Sequence, residues 1–274
     1  MKDYIVSVDW LKDNLDDDNL VILDSSPIST ANGSESKFKN QVIPKARHFD
    51  LKNQFSDLES EFPNTFPSPS QFEWASQRLG INKSSKIVIY DNLGIHTSPR
   101  VWWMFKAFGH EDVSVLNGGL PEWIKQGNQT VNEYESTFDT GDFTFSGEEI
   151  DIKYYEDILR NIDSDKYLLV DARSIGRFEG TESEPRKSIK SGHIPRSINI
   201  PYTEVLENGL FKSTKELTEI FKSIKEDKRE LVFTCGSGVT ACIILLASEL
   251  VFQDKKYVFD GSWTEWATRQ NLLT

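Results

Sequence analysis

Short apolar runs that end at a polar residue recur along the chain and alternate with longer segments of helical character. Four such runs are evident, at residues 20–23, 87–90, 167–170 and 231–234. Among the longer segments, 99–108 and 240–250 are apolar enough to form buried helices. Strands and helices that alternate in this way are typical of an α/β fold with a mainly parallel sheet.

The same pattern occurs twice, because four segments of the first half match four segments of the second half in the same order. Matched positions lie 143–151 residues apart, so the offset changes only by loop-sized amounts. The pairs are 19–24 with 166–171, 42–51 with 193–202, 86–91 with 230–235, and 113–123 with 257–266. We therefore predict two tandem α/β domains, each a mainly parallel sheet flanked by helices.

The predicted domains cover residues 1–128 and 150–274. Residues 129–149 have few aliphatic side chains and many Thr, Ser, Glu, Asp and Gly, which is typical of an interdomain linker. In sheets of this kind, ligands bind beyond the carboxyl ends of the strands. That position holds Asp91 in the first domain and Cys235 in the second. We expect a non-catalytic first domain and one active site in the second.

Composition and charge exclude several function classes. Of the 274 residues, 38% are hydrophobic and 27% are charged, as in a globular protein with a packed core. The net charge of −12 disfavours nucleic acid or an anionic membrane as a partner, since both are negatively charged. Two cysteines form no disulfide framework, and the N-terminal residues lack a signal peptide's apolar core, so we expect a cytoplasmic protein. The four scattered histidines predict neither a metal nor a cofactor.

Cys235 has the surroundings of a reactive thiol. It follows an apolar strand-like run, and glycines at 236 and 238 separate it from the start of an apolar helix. Unpaired backbone N–H groups and the positive end of the helix dipole favour the thiolate, which is the reactive form. The two glycines allow the loop to curl so that several amides point inward and bind an anion.

The alternative interpretation is that Cys235 is a small buried apolar residue, which is the commoner fate of a free cysteine. Cys242 fits that description, because alanine, isoleucine and leucine residues surround it in the predicted helix. A core cysteine has no need of Gly-Ser-Gly directly after it. We therefore assign the reactive thiol to Cys235 and a core role to Cys242.

With these residues in view, the chain resembles the tandem-domain rhodanese-like sulfurtransferases over nearly its full length. The motifs that carry the resemblance are Asp171-Ala-Arg173, Arg177-Phe178, Glu184-Pro-Arg186, Gly192-His-Ile-Pro195, Asn199-Ile-Pro201, the Cys235 loop and Gly261-Ser-Trp-Thr-Glu-Trp266. The loop itself is similar to that of the 3-mercaptopyruvate sulfurtransferase branch. Thiosulfate-preferring members typically carry Arg and Lys where this chain has Gly236 and Ser237.

The resemblance implies an enzyme that moves sulfur from 3-mercaptopyruvate, through a persulfide on Cys235, to a thiophilic acceptor such as cyanide or a thiol. Cys235 and Ser237 are the implied catalytic residues. The implied substrate-binding residues are Arg177, Arg186, Gly236, Gly238, Val239 and Thr240. A monomer is expected, with a small-molecule donor and acceptor and a thioredoxin-like protein as a candidate reductant.

The resemblance also has a departure. In the mercaptopyruvate branch, an Asp and a His from the first domain have been proposed to work with the loop serine. A gapped alignment puts Lys52 or Asn53 at the acid and Asn64 at the histidine, with Asp50 and Asp57 as displaced alternatives. If this combination of Asp, His and Ser is absent, we expect solvent to deliver the proton to the leaving group.

Several other residues near the motifs are interpreted as structural. We expect Asp171 and Arg173 to connect the strand end to the loops through hydrogen bonds. We expect His193 to have a structural role in a turn. Trp263 and Trp266 are assigned to packing.

Three other functions compete. A thiosulfate sulfurtransferase is the runner-up, although its dianionic donor gains from cations that this loop lacks. A cysteine phosphatase needs an arginine six residues after the cysteine to bind phosphate, and Ala241 stands there. The third alternative is a non-catalytic sulfur-carrier or binding module, and the combination of Cys235 with its glycines argues against it.

Overall fold

The protein is described from a computed structural model at residues 4–31, 33–146 and 150–274. The chain divides into two compact units, one drawn from residues 1–58 and 66–150 and the other from residues 59–65 and 151–274. Residues 1–3 of the N-terminus and 147–149 of the expected linker lie outside the described residues. Residues 59–65, which the predicted boundaries assign to the first domain, group with the second unit.

The first unit is built on a five-stranded parallel sheet with the strand order β1-β5-β4-β2-β3. Its elements, in chain order, are β1 (Ile5–Val6), α1 (Val8–Asp13), β2 (Leu20–Asp24), β3 (Ala46–His48), α2 (Pro69–Arg78), β4 (Lys86–Tyr90), α3 (Ser98–Ala107), β5 (Val113–Leu116) and α4 (Gly119–Lys125).

The second unit repeats this topology, with a five-stranded parallel sheet in the order β6-β12-β11-β7-β8 and a small antiparallel pair, β9 and β10. Its strands are β6 (Ile152–Lys153), β7 (Tyr167–Asp171), β8 (Ile198–Asn199), β9 (Leu206–Glu207), β10 (Leu210–Phe211), β11 (Glu230–Thr234) and β12 (Lys256–Phe259). Its α-helices are α5 (Tyr155–Ser164), α6 (Ile175–Glu179), α7 (Thr214–Ile220), α8 (Lys222–Glu226), α9 (Ala241–Glu249) and α10 (Ser262–Arg269).

The prediction of two tandem α/β domains with parallel sheets is therefore confirmed. The central strands form because their apolar runs are continuous, as required of strands covered on both faces. In β4 and β11 every residue after the first is buried. The apolar segment 240–250 forms α9, a helix that is buried on nearly all sides.

Parallel pairing brings the ends of two strands together in each unit. Asp24 at the end of β2 is in register with Tyr90 at the end of β4, and Asp171 at the end of β7 is in register with Thr234 at the end of β11. The next residue after β4 is Asp91, and the next after β11 is Cys235. Both therefore lie at the carboxyl edge of their own sheet, beside a buried aspartate.

The segment interpreted as a linker packs along the first unit over much of its described length. Val131 forms a backbone bridge with Val42, and the Glu135 N–H donates to the Ala46 carbonyl at 2.8 Å. Further on, the Phe143 N–H donates to the Ile81 carbonyl at 3.0 Å, and its ring is buried against other aromatic rings of the unit. Aromatic side chains spaced along a polar segment thus hold it in place.

Across the described residues, no helix has both the length and the apolar character needed to cross a lipid bilayer.

Gly141→Ala tests the packing of this segment. A Cβ at this position would meet the Ile81 carbonyl oxygen at 2.0 Å, and the contact is with backbone that cannot swing away. We expect the free energy of unfolding to fall by about 1–3 kcal/mol, measured by urea denaturation. Thr140→Ala, at the exposed neighbouring position, is the control and should leave it nearly unchanged. Equal stability of the two variants would contradict the close approach.

Candidate active site

Cys235 lies between β11 and α9, and the start of α10 holds its backbone. The Cys235 N–H donates to Ser262 Oγ at 3.3 Å, and its carbonyl accepts from the Trp263 N–H at 3.0 Å. The next carbonyl, of Gly236, accepts from the Thr264 N–H at 3.1 Å and from Thr264 Oγ1. With the backbone fixed on both sides, the thiol is 2% exposed and held at the edge of the sheet.

The loop after Cys235 curls back toward the helix as the sequence predicts. Gly238 has φ of 77°, a conformation that glycine adopts without strain. The N–H groups of Cys242 and Ile243 donate to the carbonyls of Val239 and Thr240 at 3.1 Å, which turns the chain into α9. Thr240 is the N-cap residue and makes no side-chain capping bond, so the first turn of the helix faces the loop. Residues 236–240 thus form the turn that joins Cys235 to α9.

The equivalent loop of the first unit is an anion site that its own side chain fills. Asp91 is completely buried, and its carboxylate accepts from the backbone N–H groups of Leu93, His96, Thr97 and Ser98 at 2.8–3.0 Å. The Ser98 hydroxyl adds a fifth hydrogen bond at 2.7 Å. A strand end followed by this type of loop therefore presents several amides to one negative group. In the first unit that negative group is the protein's own Asp91 carboxylate.

Cys242 lies in the core, as its apolar neighbours indicate. It is completely buried in the first turn of α9, and its thiol contacts the Gly238 carbonyl with Sγ 3.4 Å from the oxygen. Its neighbours within α9 are buried as well, which agrees with the core role assigned to it.

Arg186 is an electrostatic neighbour of Cys235. Burial lowers the pKa of the Arg186 guanidinium, while the negative charges of Cys235 and Glu184 act to raise it and Arg177 acts to lower it. Its Nη1 lies 3.4 Å from Thr264 Oγ1, the hydroxyl that also donates to the Gly236 carbonyl. The predicted arginine and the thiol loop therefore share one anchor on α10.

Arg177 also lies beside the loop, where it is paired with Glu184. Its Nε and Nη2 donate to the two oxygens of Glu184 at 3.1 and 2.6 Å, in a forked pair. A Cβ on Gly236 would lie only 2.9 Å from Arg177 Nη2. The absence of a side chain at 236 is thus what leaves room for this guanidinium beside the loop.

Glu184 joins Arg177 to a second, fully buried arginine. Arg173 donates to Glu184 Oε1 at 2.7 Å and makes a forked pair with Asp171 at the end of β7. It also donates to the Gly192 carbonyl at 2.7 Å. Although burial acts to lower the pKa of Arg173, Asp171 and Glu184 raise it above its usual value. Asp171 and Arg173 therefore tie the strand end to the surrounding loops.

The other residues interpreted as structural are His193, Trp263 and Trp266. His193 is exposed, stacks on Phe178 with ring centroids 4.2 Å apart, and has Nδ1 3.0 Å from the Phe178 carbonyl oxygen. Trp263 and Trp266 are buried in the core cluster of the unit. The Trp263 indole N–H donates to the Lys190 carbonyl at 3.0 Å.

Ser237 has a partner from a remote part of the chain. Its side chain is nearly buried, and Oγ accepts a hydrogen bond from Asn64 Nδ2 at 2.9 Å. Asn64 is the residue that the gapped alignment matched to the family's histidine. Asn53, matched to the acid, instead donates to Asp50 within the first unit.

Sequence reasoning missed two residues that build the site, Glu184 and Thr264. Glu184 belongs to a motif that was noticed for its arginine alone. Its position between Arg177 and Arg186 in a polar loop could have indicated its role, since an acidic residue near several arginines often forms ion pairs with more than one of them. Thr264 lies in the motif 261–266, which was interpreted through its tryptophans, and a threonine in the first turn of a helix is ordinary.

Comparisons with known proteins agree with this architecture. The family described as Rhodanese-like domain matches residues 7–126 and 155–269. The 3-mercaptopyruvate sulfurtransferase of Mus musculus is 40% identical, over 97% of this chain and 92% of that protein. The thiosulfate sulfurtransferase of Cricetulus griseus is 39% identical, over 96% of this chain and 91% of that protein.

A solved structure is similar over nearly the whole chain as well. SseA from Escherichia coli, described among the 3-mercaptopyruvate sulfotransferases, superposes with a TM-score of 0.84 at 30% sequence identity. The match covers 95% of this chain and 99% of SseA.

Glu184→Gln tests the ion cluster. The substitution removes the one negative charge that Arg173 and Arg177 share, so that Arg173 keeps only Asp171 and Arg177 loses the carboxylate of its forked pair. We expect the free energy of unfolding to fall by about 3 kcal/mol, measured by urea denaturation. The control is Glu182→Gln, at an exposed position where the carboxylate accepts from Ser174. A loss no larger than that of the control would show that the cluster is not stabilising.

Proposed function

The chain is a sulfurtransferase of the rhodanese-like family with two domains in tandem, and we propose that its sulfur donor is 3-mercaptopyruvate. Cys235 is the proposed carrier of the sulfur, as a persulfide, and cyanide or a thiol is the proposed acceptor. The observation that carries the proposal is the position of Cys235, which precedes a loop without charged side chains and lies near two arginines that can bind a carboxylate.

Two half-reactions account for the transfer. The Cys235 thiolate attacks the donor's sulfur, so that an S–S bond forms and the donor's C–S bond breaks. The electron pair of that C–S bond leaves on the enolate of pyruvate, which takes up a proton. Cyanide then attacks the outer sulfur of the persulfide, forms thiocyanate and returns Cys235 as a thiolate. Such alternation is the ping-pong pattern of covalent catalysis.

The loop amides have the role of stabilising negative sulfur, both on the thiolate and on the persulfide. Support comes from the first unit, where the equivalent loop surrounds the Asp91 carboxylate with four backbone N–H groups. Fixed donors of this kind act without reorganisation while charge develops, as in an oxyanion hole. In the proposal, Gly236, Gly238, Val239 and Thr240 supply this environment around Cys235.

The donor's carboxylate is assigned to Arg177 and Arg186. A guanidinium is suited to a carboxylate because its donors form a planar fork. Arg177 uses Nε and one hydrogen of Nη2 for Glu184, which leaves Nη1 for a ligand. Ser237 is assigned to the donor's keto oxygen.

Thiosulfate is the alternative donor, and some relatives of high identity are named for it. The loop favours mercaptopyruvate, because Gly236 and Ser237 add no positive charge for a compact dianion. A thioredoxin-like reductant, a monomeric state and a cytoplasmic location remain predictions from the sequence.

Replacing the two cysteines separately tests the carrier. Cys235→Ser is expected to abolish thiocyanate formation from 3-mercaptopyruvate and cyanide, because serine cannot form a persulfide. Cys242→Ser is the matched control and should retain most of the activity. Mass spectrometry after donor treatment should find one added sulfur atom on Cys235. A persulfide found mainly on Cys242 would overturn the assignment.

Changing the loop tests the choice of donor. Gly236→Arg combined with Ser237→Lys adds two positive charges and forces Arg177 away from the loop, given the 2.9 Å approach of its Nη2. We expect the ratio of kcat/KM for mercaptopyruvate to that for thiosulfate to fall about tenfold or more. Ser237→Ala, which adds no charge, is the control and should not raise thiosulfate turnover. A wild-type enzyme that already prefers thiosulfate would overturn the proposed donor.

A further inference from the structure

One hydrogen bond of the site comes from far away in the sequence. Asn64 and Ser237 are 173 positions apart, yet both belong to the second unit, and Asn64 Nδ2 lies 2.9 Å from Ser237 Oγ. Residues 59–65 therefore lie against the Cys235 loop. Ser237 is 8% exposed, so few other partners can reach its hydroxyl.

The direction of this bond determines what Ser237 can do. An amide nitrogen only donates, so the hydroxyl oxygen accepts and its own proton remains for a different acceptor. In the part of the chain that the structure describes, the Ser237 hydroxyl proton has no protein acceptor. A ligand in the loop would supply one.

The backbone conformation at position 64 is one that asparagine tolerates well. Asn64 has φ of 59°, in the left-handed region where asparagine is among the few non-glycine residues that are well tolerated. Asparagine is thus compatible with the backbone of this turn, and from there its amide nitrogen reaches Ser237 Oγ.

We propose that Asn64 is a positioning residue that holds the Ser237 hydroxyl as a hydrogen-bond donor toward the keto oxygen of the sulfur donor. This inference rests on the proposed function. As the donor's C–S bond breaks, negative charge develops on that oxygen to form the enolate, and a fixed donor there lowers the barrier. The second half-reaction involves no keto group, so Asn64 should affect loading of Cys235 and not its discharge.

The test measures the two half-reactions separately in rapid-mixing experiments. Asn64→Gly removes the amide and suits the positive φ, while Asn64→Asp keeps the shape but turns the donor into an acceptor, which draws the Ser237 proton away from the ligand. For both variants we expect persulfide loading from 3-mercaptopyruvate to slow tenfold or more. Discharge of the loaded persulfide to cyanide should stay within about twofold of wild type.

Two controls separate positioning from general structural support. Asn208 has nearly the same backbone conformation, with φ of 53°, in an exposed turn, so Asn208→Gly and Asn208→Asp should load at the wild-type rate. Adding Asn64→Gly to Ser237→Ala should slow loading no further, because in the proposal Asn64 influences loading through the Ser237 hydroxyl.

The outcomes are distinguishable. Equal slowing of loading and discharge, additive losses in the double variant, or unchanged loading in both Asn64 variants would each overturn the role of Asn64 and leave the proposed function standing. Failure of the wild-type enzyme to load from 3-mercaptopyruvate would overturn both.

Discussion

A negative group at the end of a parallel strand has to be met by hydrogen-bond donors, and in this protein the backbone provides them. In the first unit, the loop that follows strand β4 and the start of helix α3 direct four backbone N–H groups at one carboxylate. The first unit satisfies the requirement with the carboxylate of Asp91. The second presents the sulfur of Cys235 at the corresponding position, so the same constraint stabilises one unit and equips the other for chemistry.

Around that loop, rigidity comes from elements that are distant in sequence. The start of α10 holds the carbonyls of Cys235 and Gly236, and Thr264 also lies next to Arg186. Glu184 holds Arg177 against the loop and ties it to the buried Arg173. A thiol and two arginines that would otherwise move independently are thereby fixed relative to one another, which is what a reaction that forms and breaks bonds at one sulfur requires.

The parts of this arrangement that follow from local pattern were predictable from the sequence. Continuous apolar runs indicate strands covered on both faces, and the glycines after Cys235 indicate a curled loop. Contacts across long stretches leave no periodic trace, so Glu184 and Thr264 escaped notice and Asn64 emerged only from a gapped alignment. The segment 129–146 looks like a linker by composition, yet a few aromatic rings such as Phe143 are enough to hold it to the first unit.

The ion cluster of the second unit contains an odd number of charges. Leaving the sulfur of Cys235 aside, the three guanidinium groups of Arg173, Arg177 and Arg186 outnumber the carboxylates of Asp171 and Glu184 by one. A local excess of positive charge of this kind attracts an anionic ligand. In a chain whose net charge is −12, this local surplus is also what offsets the long-range repulsion of an anionic ligand. The cluster thus gives the site a local electrostatic attraction for anions that does not depend on their shape.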